Sequence, residues 1–379
     1  MRLIVEADSV VAPRMSGVGH TTLEILRALD KCCATDSSLS VVAVVPFGSK
    51  QKINQYGFRH IRIKSLIPGG RLLNYLLART SFPLPVDLLV GRGVYVFPNY
   101  KNWFVPFSFS VTFVHDLAFR ALPGTVNAKN AQYLKKNMNR WLQRTSLVAT
   151  VSAFSQKELA RYYPKSAAKV RLVPNGVDPG VLSPQTAEVV QESIVRYKLP
   201  QEYFLVIGNI EPRKNIDRLL EAYRLYADSQ ADATPLVIAG AGGWKNEKTL
   251  ETMKQMQSEG YGIYSPRQHV ADADRPALYS GARAFVHVAL YEGFGLPPLE
   301  AQSCGSPVIA AAIAPLKEFL NEHNTVFVDP LDVRAIAEAL RHPPTRQAKL
   351  AQTEFTWDRT AKCLLDIAKI GGGKGVPRA

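Results

Sequence analysis

The sequence predicts an α/β protein made of two Rossmann-like halves that face each other. Strand-length apolar runs alternate with segments of helical apolar spacing along the whole chain, the pattern of a parallel sheet with crossover helices. The stretch Pro174-Asn175-Gly176-Val177-Asp178-Pro179-Gly180 concentrates chain breakers near the middle. The 379 residues suit two domains at the usual ~100–200 residues each.

Taken in order, Leu3-Ile4-Val5 reads as a short buried strand, followed by a loop with Gly17 and Gly19 and a helix from Thr21 to Leu29. Strands are expected at Val41–Val45, Tyr95–Phe97, Val111–Val114, Leu147–Val151 and Val170–Val173, and helices at Asn130–Gln143 and Ser155–Tyr162. Past the break, strands are expected at Phe204–Gly208, Leu236–Gly240, Ala284–Val288 and Val308–Ala310, with a helix over Ile216–Ser229. A last helix, Thr356–Ile370, precedes a tail, Gly371–Ala379, whose Gly, Lys and Pro content argues against packing. The expected parts are an N-terminal domain 1–178, a C-terminal domain 179–355, a helix 356–370 packing back on the N-terminal domain, and the tail 371–379.

With 46% hydrophobic and 21% charged residues the chain is globular, not disordered. Cys32, Cys33, Cys304 and Cys363 form no C-x-x-C pair, so reduced thiols and no structural zinc are expected. No run is apolar enough for a signal peptide or a membrane span, which points to the cytoplasm. The net charge of +14 is uneven: residues 1–180 carry 24 Lys+Arg against 9 Asp+Glu, and residues 181–379 carry 22 against 23. The first half is therefore expected to meet an anionic partner: phospholipid, nucleic acid or a phosphorylated substrate.

The most informative stretch is Glu292-Gly-Phe-Gly-Leu-Pro-Pro-Leu-Glu300. Gly293 and Gly295 permit a tight turn close to a ligand, and Pro297 and Pro298 suit a first helical turn. Glu292 thus sits on a loop and Glu300 on the helix. The N–H groups near Leu296 and Leu299 offer a phosphate site. As a loop carboxylate facing a wet cleft, Glu292 is expected to be removable at little cost in stability.

This E-x7-E segment, with its G-F-G-L-P-P-L-E-A wording, resembles the retaining glycosyltransferases of family four, a GT-B group that includes many bacterial mannosyltransferases. The resemblance implies that Glu292 approaches the donor sugar hydroxyls and that Glu300 binds the nucleotide ribose. Glu211-Pro212-Arg213-Lys214-Asn215 is similar to another segment of the family, and there Arg213 and Lys214 would meet the donor diphosphate; a solvated loop is the plainer reading. Ser16-Gly17-Val18-Gly19-His20 stands where the family has a Gly-rich loop whose backbone, at Gly17 and Gly19, nears the donor phosphates. The dinucleotide fingerprint G-x-G-x-x-G is absent, because Thr22 stands three after Gly19.

His115 closes the Val111–Val114 strand, an end where open α/β sheets place ligands. The family's comparable H-D segment puts that histidine near the transferred sugar; a core histidine capped by Asp116 is the alternative. Asp272-Ala273-Asp274 has the D-x-D spacing of metal sites in another transferase fold, yet it matches the acidic stretch that starts a helix here, with Asp274 as N-cap of Arg275–Ser280. No required metal and no cofactor are expected. Arg267-Gln268-His269-Val270 would face the base, with Gln268 where relatives often have glycine, and the loop Ala241-Gly242-Gly243-Trp244 would fill out the cleft. Further matches are Val151-Ser152-x-Phe154-Ser155, Pro174–Asp178 and Asp329–Asp332, whereas residues 45–101 carry no family wording and are where acceptor recognition would vary.

Arg59, Arg62, Lys64, Arg71 and Arg79 flank Leu72, Leu73, Tyr75, Leu76 and Leu77, and Lys129, Lys135, Lys136, Arg140 and Arg144 accompany Tyr133 and Trp141. Both stretches look amphipathic and cationic, fit for an anionic membrane surface with aromatics at headgroup level; core-packing helices with solvated basic faces are the alternative. The reading as a whole is a cytoplasmic, membrane-associating transferase moving a hexose from a nucleoside diphosphate sugar to a glycan or polyprenyl-linked acceptor. GDP-mannose is the first choice of donor, with UDP-sugars or dTDP-rhamnose as alternatives. Its rivals are a sugar-nucleotide sensor and a nucleic-acid binder, the latter lacking any reader motif.

Overall fold

A computed structural model describes residues 1–13, 15–66, 85–240, 242–266, 268–346 and 353–372. The expected basic stretch 71–79, Ala241, Arg267 and residues 373–379 of the tail lie outside the described residues. The chain forms two compact units: Met1–Leu117 with Gln132–Gly176 and Phe355–Ala379, and Ala118–Ala131 with Val177–Glu354.

The first unit is built on a sheet of β1 (Arg2–Glu6), β2 (Ser40–Val45), β3 (Arg62–Ser65), β4 (Val94–Phe97), β5 (Phe109–Val114), β6 (Leu147–Thr150) and β7 (Val170–Leu172), in the order β3-β2-β1-β4-β5-β6-β7. Every pairing is parallel, and Leu3 stands opposite Val41 on one side and Val94 on the other. Because helices cover both faces, the inner strands read as unbroken apolar runs. Leu3, Ile4 and Val5 are wholly buried. β3 escapes that pattern: Arg62-Ile63-Lys64-Ser65 is an edge strand that alternates in exposure, and its charges conceal it in the sequence.

Two helices differ from expectation. The first runs Gly17–Thr35, so Gly17 and Gly19 are its opening turn and not a loop. Ser16 supplies the N-cap, its hydroxyl accepting from Gly19 N–H at 3.4 Å. A Cβ on Gly19 would stand 2.6 Å from the Ser9 carbonyl oxygen, which explains a poor helix former there; Gly17 faces open space. The last helix runs Trp357–Gly372 and packs Ala361, Leu364 and Ala368 into the core of the first unit. Thr360 Oγ1 donates to the Pro174 carbonyl at 2.6 Å. Gly371, expected in a loose tail, lies against the Phe109 ring.

The second unit repeats the plan with β8 (Phe204–Ile207), β9 (Leu236–Ala239), β10 (Ile263–Tyr264), β11 (Ala284–His287), β12 (Val308–Ala311) and β13 (Thr325–Val328), in the order β10-β9-β8-β11-β12-β13. Its core joins Leu219, Leu220 and Tyr223 of the helix Ile216–Ala227 to Ile336 and Leu340 of the helix Val333–Arg341 beneath the sheet. Trp244 Nε1 donates to the Thr125 carbonyl at 3.2 Å and Lys245 Nζ to that of Gly124 at 3.2 Å, tying Ala118–Ala131 to this unit.

The helix Ala128–Arg144 corrects the surface reading of its aromatics. Trp141, expected at a membrane surface, is 4% exposed beside buried Leu134, Met138 and Leu142; only Tyr133 reaches solvent. The apolar stripe that looks free in sequence is the face that the core uses.

A Cβ at position 176 would come within 2.2 Å of the Thr356 carbonyl carbon. Gly176→Ala should therefore lower the thermal midpoint, at the ~1–3 kcal/mol typical of overpacking. Gly17→Ala, in open space, should leave it unchanged or raise it, and paired melting curves check both.

Candidate active site

In each sheet the strand order reverses beside the first strand, and open α/β sheets bind ligands beyond the strand ends at that point. In the second unit the point lies between β8 and β11. After β8 the chain leaves through Gly208, at φ +142°, and forms a short turn, Pro212–Lys214. Asn215 closes the turn in the left-handed region, φ +61°, and its Nδ2 donates to the carbonyls of Val288 at 3.0 Å and Pro330 at 2.7 Å. Leu290 N–H donates to the Arg213 carbonyl at 2.9 Å. These bonds fasten the loop after β8 to the loop after β11.

Side chains from both loops then meet. Glu292 Oε2 lies 2.9 Å from Arg213 Nη1, and Glu292 Oε1 lies 2.7 Å from Lys214 Nζ. Arg213 also pairs with Glu211 at 2.7 Å and donates to the Tyr291 carbonyl at 2.8 Å. Burial works to raise the pKa of Glu292, but the charges of Arg213 and Lys214 outweigh it and hold the carboxyl well below the usual range. For Glu211 burial wins, and its pKa is raised. Sequence expected Arg213, Lys214 and Glu292, and the fold brings all three together. It corrects the environment of Glu292, which is 8% exposed and holds two cations, so that it is no structural bystander.

Two neighbours were missed. Glu211 stands in the quoted segment without a role, although an acid beside Arg-Lys is a visible signal. His287, at the end of β11 and 4% exposed, has its Nε2 3.2 Å from Glu292 Oε1. No hydrogen bond forms across that gap, and this buried Nε2 has no other partner among the described residues. Burial, then the Lys214 charge, lowers its pKa and keeps it neutral. The strand-end rule that singled out His115 applies equally here.

The helix Leu296–Ser303 begins at Gly295, whose φ of +107° and whose approach to Leu316, 2.5 Å from any Cβ, admit no side chain. With Pro297 and Pro298 next in line, Gly295 and Leu296 carry the unpartnered donors at this helix start; neither N–H has a partner among the described residues. Glu300, one turn on and half-buried, accepts from the Tyr279 hydroxyl at 2.8 Å, and burial raises its pKa. Val270 is nearly buried, in the loop after β10. Asp274 makes no side-chain cap: its carboxylate takes Arg196 at 2.8 Å and the Tyr197 hydroxyl at 2.6 Å.

In the first unit His115 follows β5 and is half-buried, its Nε2 2.6 Å from the Pro98 carbonyl. Burial lowers its pKa, so Nε2 carries the proton and donates, leaving Nδ1 an acceptor. Asp116 accepts from the Tyr100 hydroxyl at 3.1 Å. At the end of β1, Glu6 is 5% exposed and its Oε1 accepts from Asp8 N–H at 3.0 Å. Burial, with the Asp8 charge adding to it, pushes Glu6 up to about 8.

Comparison with known proteins follows the same division. Residues 191–347 match the family described as Glycosyl transferases group 1, and residues 15–181 the one described as Glycosyltransferase Family 4. The O-antigen chain mannosyltransferase B of Escherichia coli is 27% identical, over 98% of this chain and 100% of that protein. A glycosyltransferase from Rickettsia africae superposes with a TM-score of 0.68 at 15% identity, covering 99% of both chains. The Anabaena protein Alr3699/HepE, solved in complex with UDP and glucose, gives 0.66 at 16% identity, covering 98% of this chain and 95% of that one. At such identities the likeness shows a shared fold.

Glu292→Gln leaves the largely buried Lys214 without its counter-charge and Arg213 with Glu211 alone. Breaking a buried pair usually costs ~3–5 kcal/mol, and the small residual exposure of these side chains puts the expected loss at the lower end. Denaturant titration at neutral pH measures it. Glu6 acts oppositely: its folded pKa stands above the ordinary carboxyl value, so the folded state keeps a proton that the unfolded chain releases. Stability should fall as pH rises between about 5 and 8 on this account, and Glu6→Gln should flatten that slope in melting curves taken across the range.

Proposed function

Since the chain belongs to the group 1 glycosyl transferases of family 4, with the GT-B fold of its structural neighbours, we propose that it transfers mannose from GDP-mannose, with retention and without a metal, to a hydroxyl of a glycan or polyprenyl-linked acceptor. The observation that carries this reading is the buried pairing of Arg213 and Lys214 with Glu292. Two cations at the reversal point of the second sheet are placed to receive a diphosphate. They arrive there neutralised by a carboxylate that can exchange for it.

In this mechanism Lys214 turns from Glu292 to the diphosphate. Arg213 is steadied by Glu211 and stays in place. The N–H groups of Gly295 and Leu296 add donors at a helix start, where partial positive charge favours phosphate. Glu300 has one carboxylate oxygen on Tyr279 and offers the other to the ribose hydroxyls. As the glycosidic bond breaks, charge grows on the leaving phosphate, and Lys214 and Arg213 stabilise it in the role that a metal fills elsewhere. The freed Glu292 holds the sugar hydroxyls while the acceptor hydroxyl attacks from the face that the leaving group departs and passes its proton to the departing phosphate oxygen.

The full-length likeness to a protein named as a mannosyltransferase supports the donor choice; the UDP-bound Anabaena structure makes UDP-sugars the leading alternative. In this scheme the cationic stretches serve an anionic membrane surface.

Melting curves with GDP, UDP, dTDP and their sugars, with and without EDTA, test the reading. A ligand at 100 times its Kd adds ~2.7 kcal/mol. GDP and GDP-mannose should stabilise the protein, EDTA should not matter, and Glu300→Ala should remove the effect. Stabilisation by another nucleotide corrects the donor; stabilisation by none overturns the site.

A further inference from the structure

The strongest unexplained group in the molecule is the imidazole of His287. A buried polar nitrogen without a partner costs ~1–3 kcal/mol, and this one stands 3.2 Å from a carboxylate oxygen that it does not properly engage. Lys214 Nζ donates to the same Oε1 at 2.7 Å. The ring has little freedom to move away. Its backbone is held in β11, in register with Ala310 of β12, and it stacks on Phe285 at 16° with centroids 6.2 Å apart. It also lines a small pocket with Gly208, Asn209 and Lys214, so it faces the place that Lys214 would vacate.

We propose that His287 is the positioning residue for Glu292 during transfer: when Lys214 leaves for the donor diphosphate, the Nε2–H of His287 takes over Oε1 and holds the carboxylate toward the sugar. This rests on the donor site proposed above. The imidazole is neutral beside Arg213 and Lys214, and its proton sits on Nε2, because the other tautomer would set a lone pair against the carboxylate. The hydrogen bond that is poor in the free protein becomes good once its competitor is gone. Glu292 then exchanges one partner for another and is not left to swing, and the misaligned nitrogen is satisfied only in the donor-bound state. Nothing is consumed in the exchange; the lysine and the histidine alternate on one oxygen.

The test is steady-state transfer by His287→Phe and His287→Gln with donor varied. Phenylalanine keeps the ring on Phe285 and removes the donor, whereas the glutamine amide reaches about the position of Nε2. His287→Phe should melt no lower than wild type, since it removes an unsatisfied buried nitrogen, yet lose about tenfold or more in kcat with little change in donor KM. His287→Gln should recover most of that loss. His287→Leu replaces the Phe variant if the latter does not fold. Transfer by the Phe or Leu variant within about twofold of wild type, or an equal loss in the Gln variant, overturns the proposal. Glu292→Gln and Lys214→Ala separate the two levels: if both lose transfer while His287→Phe keeps it, only the role of His287 fails; if they too keep it, the donor site fails with it.

Discussion

The second unit is organised around one carboxylate held by two cations. Glu292 reaches the site on the loop after β11, and Arg213 and Lys214 reach it on the loop after β8. Their pairing closes the point where the strand order reverses. Glu211, Arg213, Lys214 and Glu292 sum to no net charge, which is the condition under which such groups tolerate burial. On the proposed reading a diphosphate enters this set by exchange, and the groups that stabilise the two loops also select for an anion able to replace a carboxylate.

The two sheets repeat one plan and use it for different chemistry. Beyond the reversal point of the second unit stand Arg213 and Lys214; beyond that of the first stand Glu6 and Asp8, with His115 one strand further. Charge totals mislead about this. The N-terminal half carries all of the excess positive charge, yet the described cations of the candidate site lie in the half that is almost neutral. Net charge describes the solvated surface, whereas a binding site is made by a few groups that the fold forces together.

That distinction also marks what could be read from the sequence. The apolar strands, the reversal into a second α/β unit and the Glu292–Glu300 spacing are local, and local pattern reveals them. The partner of Glu292 is not local, since Arg213 and Lys214 lie nearly eighty positions away, and so its burial was invisible. His287 read as the inside of a strand because the strand was drawn one residue too long. Gly17 and Gly19 read as loop because glycine is a poor helix former; the Ser16 cap supports the helix start, and the nearness of the Ser9 carbonyl excludes a side chain at Gly19. Trp141 shows the limit of periodicity: an amphipathic stripe has the same spacing whether it meets a core or a membrane.

The helix Trp357–Gly372 returns to the first unit after the whole second unit has been threaded. During synthesis the sheet from β1 to β7 is complete long before this helix leaves the ribosome, so its packing face waits uncovered while roughly two hundred further residues are made at ~5–20 residues per second. The second unit can close in that interval. The first is finished last although its strands are made first, because its sheet lacks that helix until the second unit has been made.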